Sequence, residues 1–373
     1  HTTVGDNPLR LYTAILKALG RSDIVITTGG LGPTVDDVTL EAVSRALDEK
    51  LIFVPQVYKL IEERFKKRHI KMPADNKRQA YIPNGAQWFK NIHGTAPGFA
   101  IKKNNKILIA LPGPPMEMNP MFENCVIPYL KKLTYEKSCV IRTRTIRTTG
   151  LAESAINPKV KDILRLSGNT TVGIYAKPGE VDLKITAKAK NEKQAHRLIS
   201  SIERKIKQRL EALIFGYDDD TLESAVSKLL IKNKKTIAIA ESCTGGLLSS
   251  RLTDTAGSSN YLILSVVAYA NKAKINILGV PEQALKKYGA VSAQTAELMA
   301  KNVRLLANAD IGISITGIAG PGGATKKKPV GLVYIAISDK NKTACKECYF
   351  IGERELIKHL STQTALAMLR RYL

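Results

Sequence analysis

The chain has 373 residues, 44% of them apolar and 24% charged, and carries a formal net charge of +24. That length exceeds one ordinary core, so two or three domains are expected, and no apolar run approaches the ~20 residues a membrane-spanning helix needs. Five scattered cysteines and five histidines in no ligand spacing exclude a disulfide scaffold and a structural zinc site, and point to a reducing cytoplasm. Residue 1 is His and no secretory signal pattern follows it, so the chain is expected to begin inside a longer protein.

HTTV reads as a strand, and Asp6 or Asn7 as the cap of a helix over PLRLYTAILKAL. DIVITTGG reads as a buried strand running into a glycine turn. VTLEAVSRALDEK has helical periodicity with Asp36 and Asp37 at its start, and KILIALPGPPMEM is a strand ending in a rigid loop that carries Glu117. Strand-loop-helix units predict a doubly wound, mostly parallel sheet with helices on both faces. Ligands of such sheets bind beyond the carboxyl ends of the strands, so both loops belong on one rim. There Gly29, Gly30 and Thr34 would cradle a phosphate and Asp36 and Asp37 would hold a divalent metal. The plainer alternative is that Asp36 merely caps the next helix.

Residues 137–216 read as a small α+β module. VIRTRTIRTTG and EVDLKITAKAK alternate polar and apolar residues as strands do, and EKQAHRLISSIERKIKQRL is an amphipathic helix. Residues 131–216 carry 19 Lys/Arg against 8 Asp/Glu. Such a patch attracts polyanions, nucleic acid included, although solvated lysines are the plainer reading.

After the turn FGYDDDTL comes a capped helix, LESAVSKLLIKN. KTIAIA is then a buried strand, ESCTGG a loop and GLLSSRLTDT a helix. This puts Ser242 at a strand end, with Thr244, Gly245 and Gly246 opening a helix whose free N–H groups suit an oxyanion or phosphate. The alternative is an ordinary turn with Ser242 as N-cap. LILSVVAYANKAKINILGV predicts a strand ending near Tyr269 and a helix from Asn271, with Lys274 in its first turn. There the helix dipole and desolvation would lower the lysine pKa and let it deprotonate a serine. Tyr269 would relay a proton or fix the lysine; the alternative is that Lys272 and Lys274 are both solvated. ADIGISITGIAGPGG adds a loop with Thr316, Gly317, Gly320, Gly322 and Gly323, able to wrap a phosphate or sugar. Cys345 and Cys348 form a CxxC on a predicted strand, where residues three apart point to opposite faces, against a redox or metal pair.

AESCTGG, YANKAK, GAVS at 289–292, TGIAGPGG and KPVG together resemble the C-terminal domain of the CinA family, over residues 222–373. The resemblance implies deamidation of nicotinamide mononucleotide without a cofactor, with Ser242 as nucleophile, Lys274 as base and Tyr269 as assistant. It further implies nucleotide contacts from Thr316 and Arg354, the latter in FIGEREL, and Thr244, Gly245, Gly246 and Gly317 are expected to line the substrate. Lys358 departs from the arginine common in relatives. TTGGLGPTVDD, NKRQAYIPNGA and NIHGTAPGFAI resemble the family's N-terminal domain, similar to molybdopterin-binding proteins and associated with metal-dependent ADP-ribose pyrophosphatase activity. Its first strand and helix are expected to precede HTTVGDN. The middle resembles the family's KH-like module but has no GxxG clamp, which counts against RNA binding.

The expected organisation is therefore a molybdopterin-binding-like α/β domain over 1–130, a KH-like α+β module over 131–216 and an α/β amidohydrolase domain over 217–373. Nucleotides are the expected substrates, a homodimer the expected assembly and the cytoplasm the expected location. The competing readings are a DNA-uptake or nucleic-acid-associated protein, and a pterin- or nucleotide-binding scaffold with vestigial sites.

Overall fold

Asn7 opens the first helix. Its side chain accepts from the N–H groups of Leu9 (3.1 Å) and Arg10 (3.0 Å), and Pro8 takes the first helical position, where no N–H is needed. In the computed structural model, which describes residues 1–134 and 139–373, the chain divides into two units, His1–Ser138 and Cys139–Leu373.

The first unit runs α1 (Pro8–Arg21), β1 (Ile24–Thr28), α2 (Thr39–Leu47), β2 (Leu51–Phe53), α3 (Pro55–Lys67), β3 (Tyr81–Pro83), β4 (Gln87–Phe89), β5 (Gly98–Lys103), β6 (Lys106–Leu111), α4 (Pro115–Met121) and α5 (Ile127–Thr134). Residues 1–4, predicted as a strand, form none and pair with no strand among the described residues. The main sheet has the order β1-β6-β5-β4 and is mixed rather than mostly parallel. Only β1 and β6 run parallel, while β5 pairs antiparallel with both β6 and β4. The cause is local: Asn104 and Asn105 adopt left-handed φ of 47° and 59°, the geometry of a tight two-residue hairpin. Val43, Phe99, Leu108 and Ala110 form the core between the sheet and α2.

The second unit begins with the α+β module: β7 (Val140–Thr149), α6 (Glu153–Leu164), β8 (Thr170–Lys177), β9 (Glu180–Ala189), α7 (Glu192–Leu210) and β10 (Ile214–Tyr217). Its expected start at Lys137 lies outside the described residues. The sheet, β10-β7-β9-β8, is antiparallel throughout, and α6 and α7 cover one face through Ile156, Val160, Ile199 and Ile206. Asn191 caps α7 by accepting from Gln194 N–H at 2.9 Å.

The rest comprises α8 (Leu222–Lys232), β11 (Ile237–Glu241), α9 (Leu247–Thr253), β12 (Leu262–Val267), α10 (Asn271–Asn276), α11 (Glu282–Tyr288), α12 (Ala293–Leu306), β13 (Ile311–Gly317), β14 (Leu332–Ser338), β15 (Thr343–Tyr349) and α13 (Arg354–Tyr372). The sheet order is β12-β11-β13-β14-β15, with the first three strands parallel and the last two antiparallel. All five residues of β11 are buried, as a central strand covered on both faces requires. One layer packs Leu222, Leu248, Ile357 and Leu366 onto the sheet, and the other packs Leu278, Met299 and Val303. Helix α13 also ties this domain to the α+β module: Gln363 donates to Glu180 (2.7 Å), and Arg370 donates to the carbonyls of Ile214 (2.9 Å) and Ala212 (2.6 Å). Among the described residues no helix is long and apolar enough to cross a membrane.

Candidate active site

Ser242 follows directly on β11, at the carboxyl end of the sheet. Its N–H donates to the Ile315 carbonyl (2.9 Å) and its carbonyl accepts from Gly245 N–H (3.1 Å). The turn then passes through Gly245 and Gly246 at φ of 64° and 97°, where a side chain would be strained. The preceding residue, Glu241, is fully buried. Its carboxylate accepts from the N–H groups of Gly246 (3.2 Å), Leu248 (3.1 Å) and Ser249 (2.9 Å), and from the Ser249 hydroxyl (2.6 Å). This corrects the expectation that the start of α9 is open to a ligand anion, because the chain's own carboxylate already fills it. The N–H groups of Cys243 and Thr244 donate to no protein oxygen among the described residues. The Thr244 hydroxyl is likewise buried without a partner there.

Lys274 sits in α10, as predicted, and is 1% exposed. Its Nζ lies 3.0 Å from Ser242 Oγ, 2.8 Å from the Ala268 carbonyl and 3.0 Å from the Tyr269 carbonyl. Burial lowers its pKa from the ordinary lysine value, with a small opposing contribution from Cys243. The two carbonyls can only accept. A neutral amine therefore spends both its protons on them and turns its lone pair toward Ser242, whose hydroxyl then donates to Nζ. Cys243 is no rival nucleophile, because burial pushes its thiol up to about 12.

The mouth of the site departs from expectation in three places. The Tyr269 hydroxyl does not reach Lys274. It accepts from Arg354 (2.9 Å), and only the backbone carbonyl of Tyr269 holds the lysine. Arg354 also donates to the Gly320 carbonyl (2.6 Å), so the guanidinium joins the two sides of the mouth. Thr316 is 1% exposed and donates to the Ala290 carbonyl (2.8 Å), which leaves it no open surface for a nucleotide. Gly317 packs against β14, where a Cβ would come within 2.7 Å of the Leu332 carbonyl, so its bareness serves strand packing instead of a ligand. Lys358 Nζ lies 3.9 Å from where a Cβ would stand on Gly245. Cys345 and Cys348 are free thiols, one half-buried and one buried.

In the first unit, Gly29 and Gly113 approach each other at the ends of the parallel pair β1 and β6, and Gly29 N–H donates to the Leu111 carbonyl (2.9 Å). Both loops thus share one rim, as expected. Gly30 packs against Thr39, whose hydroxyl would meet a Cβ at 2.2 Å. Asp36 and Asp37 do not cap α2, which starts from Val38 without a side-chain cap. Both carboxylates instead accept from the Thr34 hydroxyl, Asp37 at 2.5 Å, and this bond holds the Asp36 carboxyl below its ordinary pKa. Two converging carboxylates fit a hard cation that keeps waters and takes its other ligands from a substrate's phosphates. Among the described residues no group of three or more His, Cys, Asp or Glu is placed to hold a metal. Glu117 lies apart, accepting from Asn91 (2.7 Å).

Three family models match the chain: a probable molybdopterin binding domain over residues 1–132, the damage-inducible protein CinA KH domain over 143–216, and the CinA C-terminal domain over 219–373. A competence-damage inducible protein of Clostridium botulinum is 47% identical over 373 residues, covering all of this chain and 90% of its own. The chain belongs to the CinA family. A competence-damage inducible protein of Caldicellulosiruptor bescii is 46% identical over 370 residues, 99% of this chain and 89% of its own. Among solved structures, a CinA superfamily protein from Escherichia coli is 36% identical and covers 42% of this chain and 92% of its own, at a TM-score of 0.40. The competence/damage inducible protein CihA from Agrobacterium tumefaciens is 38% identical, covering 40% and 94%, at 0.39.

Two residues of this CinA site escape sequence reasoning. Glu241 carries the signal of an acid ending an otherwise apolar strand, a position where burial demands hydrogen bonds. Lys328, in the short lysine run 326–328, donates to the carbonyls of Tyr288 (2.8 Å) and Val291 (2.6 Å) and so pins the glycine-rich loop. Only the fold reveals that task.

Proposed function

We propose that the C-terminal domain hydrolyses the carboxamide of nicotinamide mononucleotide to nicotinic acid mononucleotide and ammonia. The observation that carries this reading is the buried Lys274 amine 3.0 Å from Ser242 Oγ. Ser242 Oγ attacks the amide carbon while its proton passes to Nζ, and the N–H groups of Cys243 and Thr244 receive the oxyanion. Lys274 returns the proton to the leaving nitrogen, the C–N bond breaks and ammonia departs from an acyl-serine. Water, deprotonated by the same amine, attacks the ester; the acid leaves and Ser242 regains its proton. Arg354 and Lys358 would take the substrate phosphate, because Glu241 has closed the α9 terminus to it. The test is ammonia release from nicotinamide mononucleotide by Ser242→Ala and Lys274→Ala, both expected to lose at least a thousandfold in kcat. Full activity in either variant refutes the mechanism.

A second activity, metal-dependent cleavage of the ADP-ribose pyrophosphate, is favoured by the convergence of Asp36 and Asp37 on Thr34. These carboxylates would hold the metal, which would supply charge neutralisation between phosphates. Substrates, homodimeric assembly and cytoplasmic location belong to the same proposal.

A further inference from the structure

Helices α6 and α7 cover one face of the antiparallel sheet of the α+β module, and α13 reaches the other face at its Glu180 end, where Asp182 is buried. Val181, Leu183, Ile185 and Ala187 of β9 are buried against α6 and α7, whereas the alternate residues Lys184 and Lys188 point outward and are exposed. Register places Thr145 and Gly173 beside Lys184, Thr143 and Thr171 beside Thr186, and Ile141 beside Lys188. Arg147 and Tyr175 flank Asp182 in the adjoining row. Tyr175 is 55% exposed and Ile141 58%. The tyrosine ring leans over Gly173, where any Cβ would come within 2.8 Å of it, so a bare glycine makes room for an aromatic on an open sheet.

The charge on this face is one-sided. Asp182 is buried and bridged by Lys177 (2.6 Å) and Arg147 (3.7 Å), and Glu180 accepts from Gln363. Among the described residues no carboxylate stands within ion-pair distance of Lys184 or Lys188. These two lysines lie four residues apart on one strand, about 13 Å. Unpaired cations in line, hydroxyls between them and an exposed ring at the edge are what a polyanion with unstacked bases requires. A duplex hides its base faces from Tyr175, and an acidic protein has no need of the ring.

We propose that this sheet face binds single-stranded nucleic acid without reading its sequence, the phosphates lying on Lys184 and Lys188 and one base stacking on Tyr175. The site does not depend on a GxxG loop, because the sheet replaces the clamp. The experiment is fluorescence anisotropy of the full chain with a labelled oligothymidylate, a duplex of equal length and polyglutamate, over a salt series. The single strand should bind most tightly. Tyr175→Ala should weaken it about 5- to 150-fold without changing the salt slope, while Tyr175→Phe binds like the parent. Lys184→Ala with Lys188→Ala should reduce the slope of log K against log salt by about 1.4. Equal binding of the duplex, indifference to Tyr175→Ala, equal capture of polyglutamate, or no binding of the oligothymidylate would each overturn the proposal. Circular dichroism of the variants, all altered at outward-facing positions, separates lost contacts from lost fold.

Discussion

A lysine that is 1% exposed and faces one hydroxyl and two carbonyls is costly to keep charged. Its folded-state pKa lies below the unfolded value, so the unfolded chain binds the extra proton between the two. Stability from this residue is therefore lowest below the folded pKa and recovers as pH rises from the folded toward the unfolded pKa. Lys274→Met should abolish ammonia release yet raise Tm by a few degrees near neutrality, about 2–4 °C per kcal/mol recovered, with the gain shrinking in alkali. Thermal melts across pH check this, and a gain that grows with pH would contradict the sign. Ser242 and Lys274 were legible because each sits next to a helix start whose position the apolar pattern reveals. The hydroxyl partners of Tyr269 and Thr316 were not legible, because spacing says nothing about which partner a hydroxyl takes once Arg354 and the Ala290 carbonyl come within reach.

The element that sets the nucleophile is the turn from β11 to α9, and Glu241 holds it through four hydrogen bonds. Glu241→Gln turns one acceptor into a donor facing backbone N–H groups. The expected loss is about 2–3 kcal/mol of stability, read from denaturant midpoints, with kcat falling more than KM rises. Arg354 acts on the opposite rim. Arg354→Lys should raise KM at least tenfold for a phosphorylated substrate and change kcat less, because lysine cannot hold Tyr269, Gly320 and a phosphate in one plane. Steady-state kinetics distinguish these two patterns. Elements with strong periodicity, such as α7, α8 and β11, were plain in the sequence. The 1–4 segment was not, because a strand exists only where a ladder partner does. The hairpin at Asn104–Asn105 was missed although its two asparagines are the residues that tolerate left-handed φ.

At the scale of the molecule, the two candidate sites stand in different units. Asp36→Asn with Asp37→Asn should remove metal-dependent AMP release from ADP-ribose and leave ammonia release intact, and Ser242→Ala should do the reverse. Coupled losses in both assays would argue against separate sites. The α/β class and the family's three-part organisation could be read from motif order. The mixed pairing of the first sheet could not, because one hairpin reverses a strand without disturbing the strand-loop-helix rhythm around it. Nor could the attachment of α13 to the α+β module, which rests on single contacts such as Gln363 with Glu180.

The central claim is an uncharged Lys274 that takes the Ser242 proton, and the pH dependence of kcat/KM for ammonia release tests it most directly. Activity should climb with pH through a midpoint below the ordinary lysine value of about 10.4, and the residual rate of Lys274→Ala should lack that limb. A midpoint at the ordinary lysine value, or the same limb persisting in Lys274→Ala, would contradict the account.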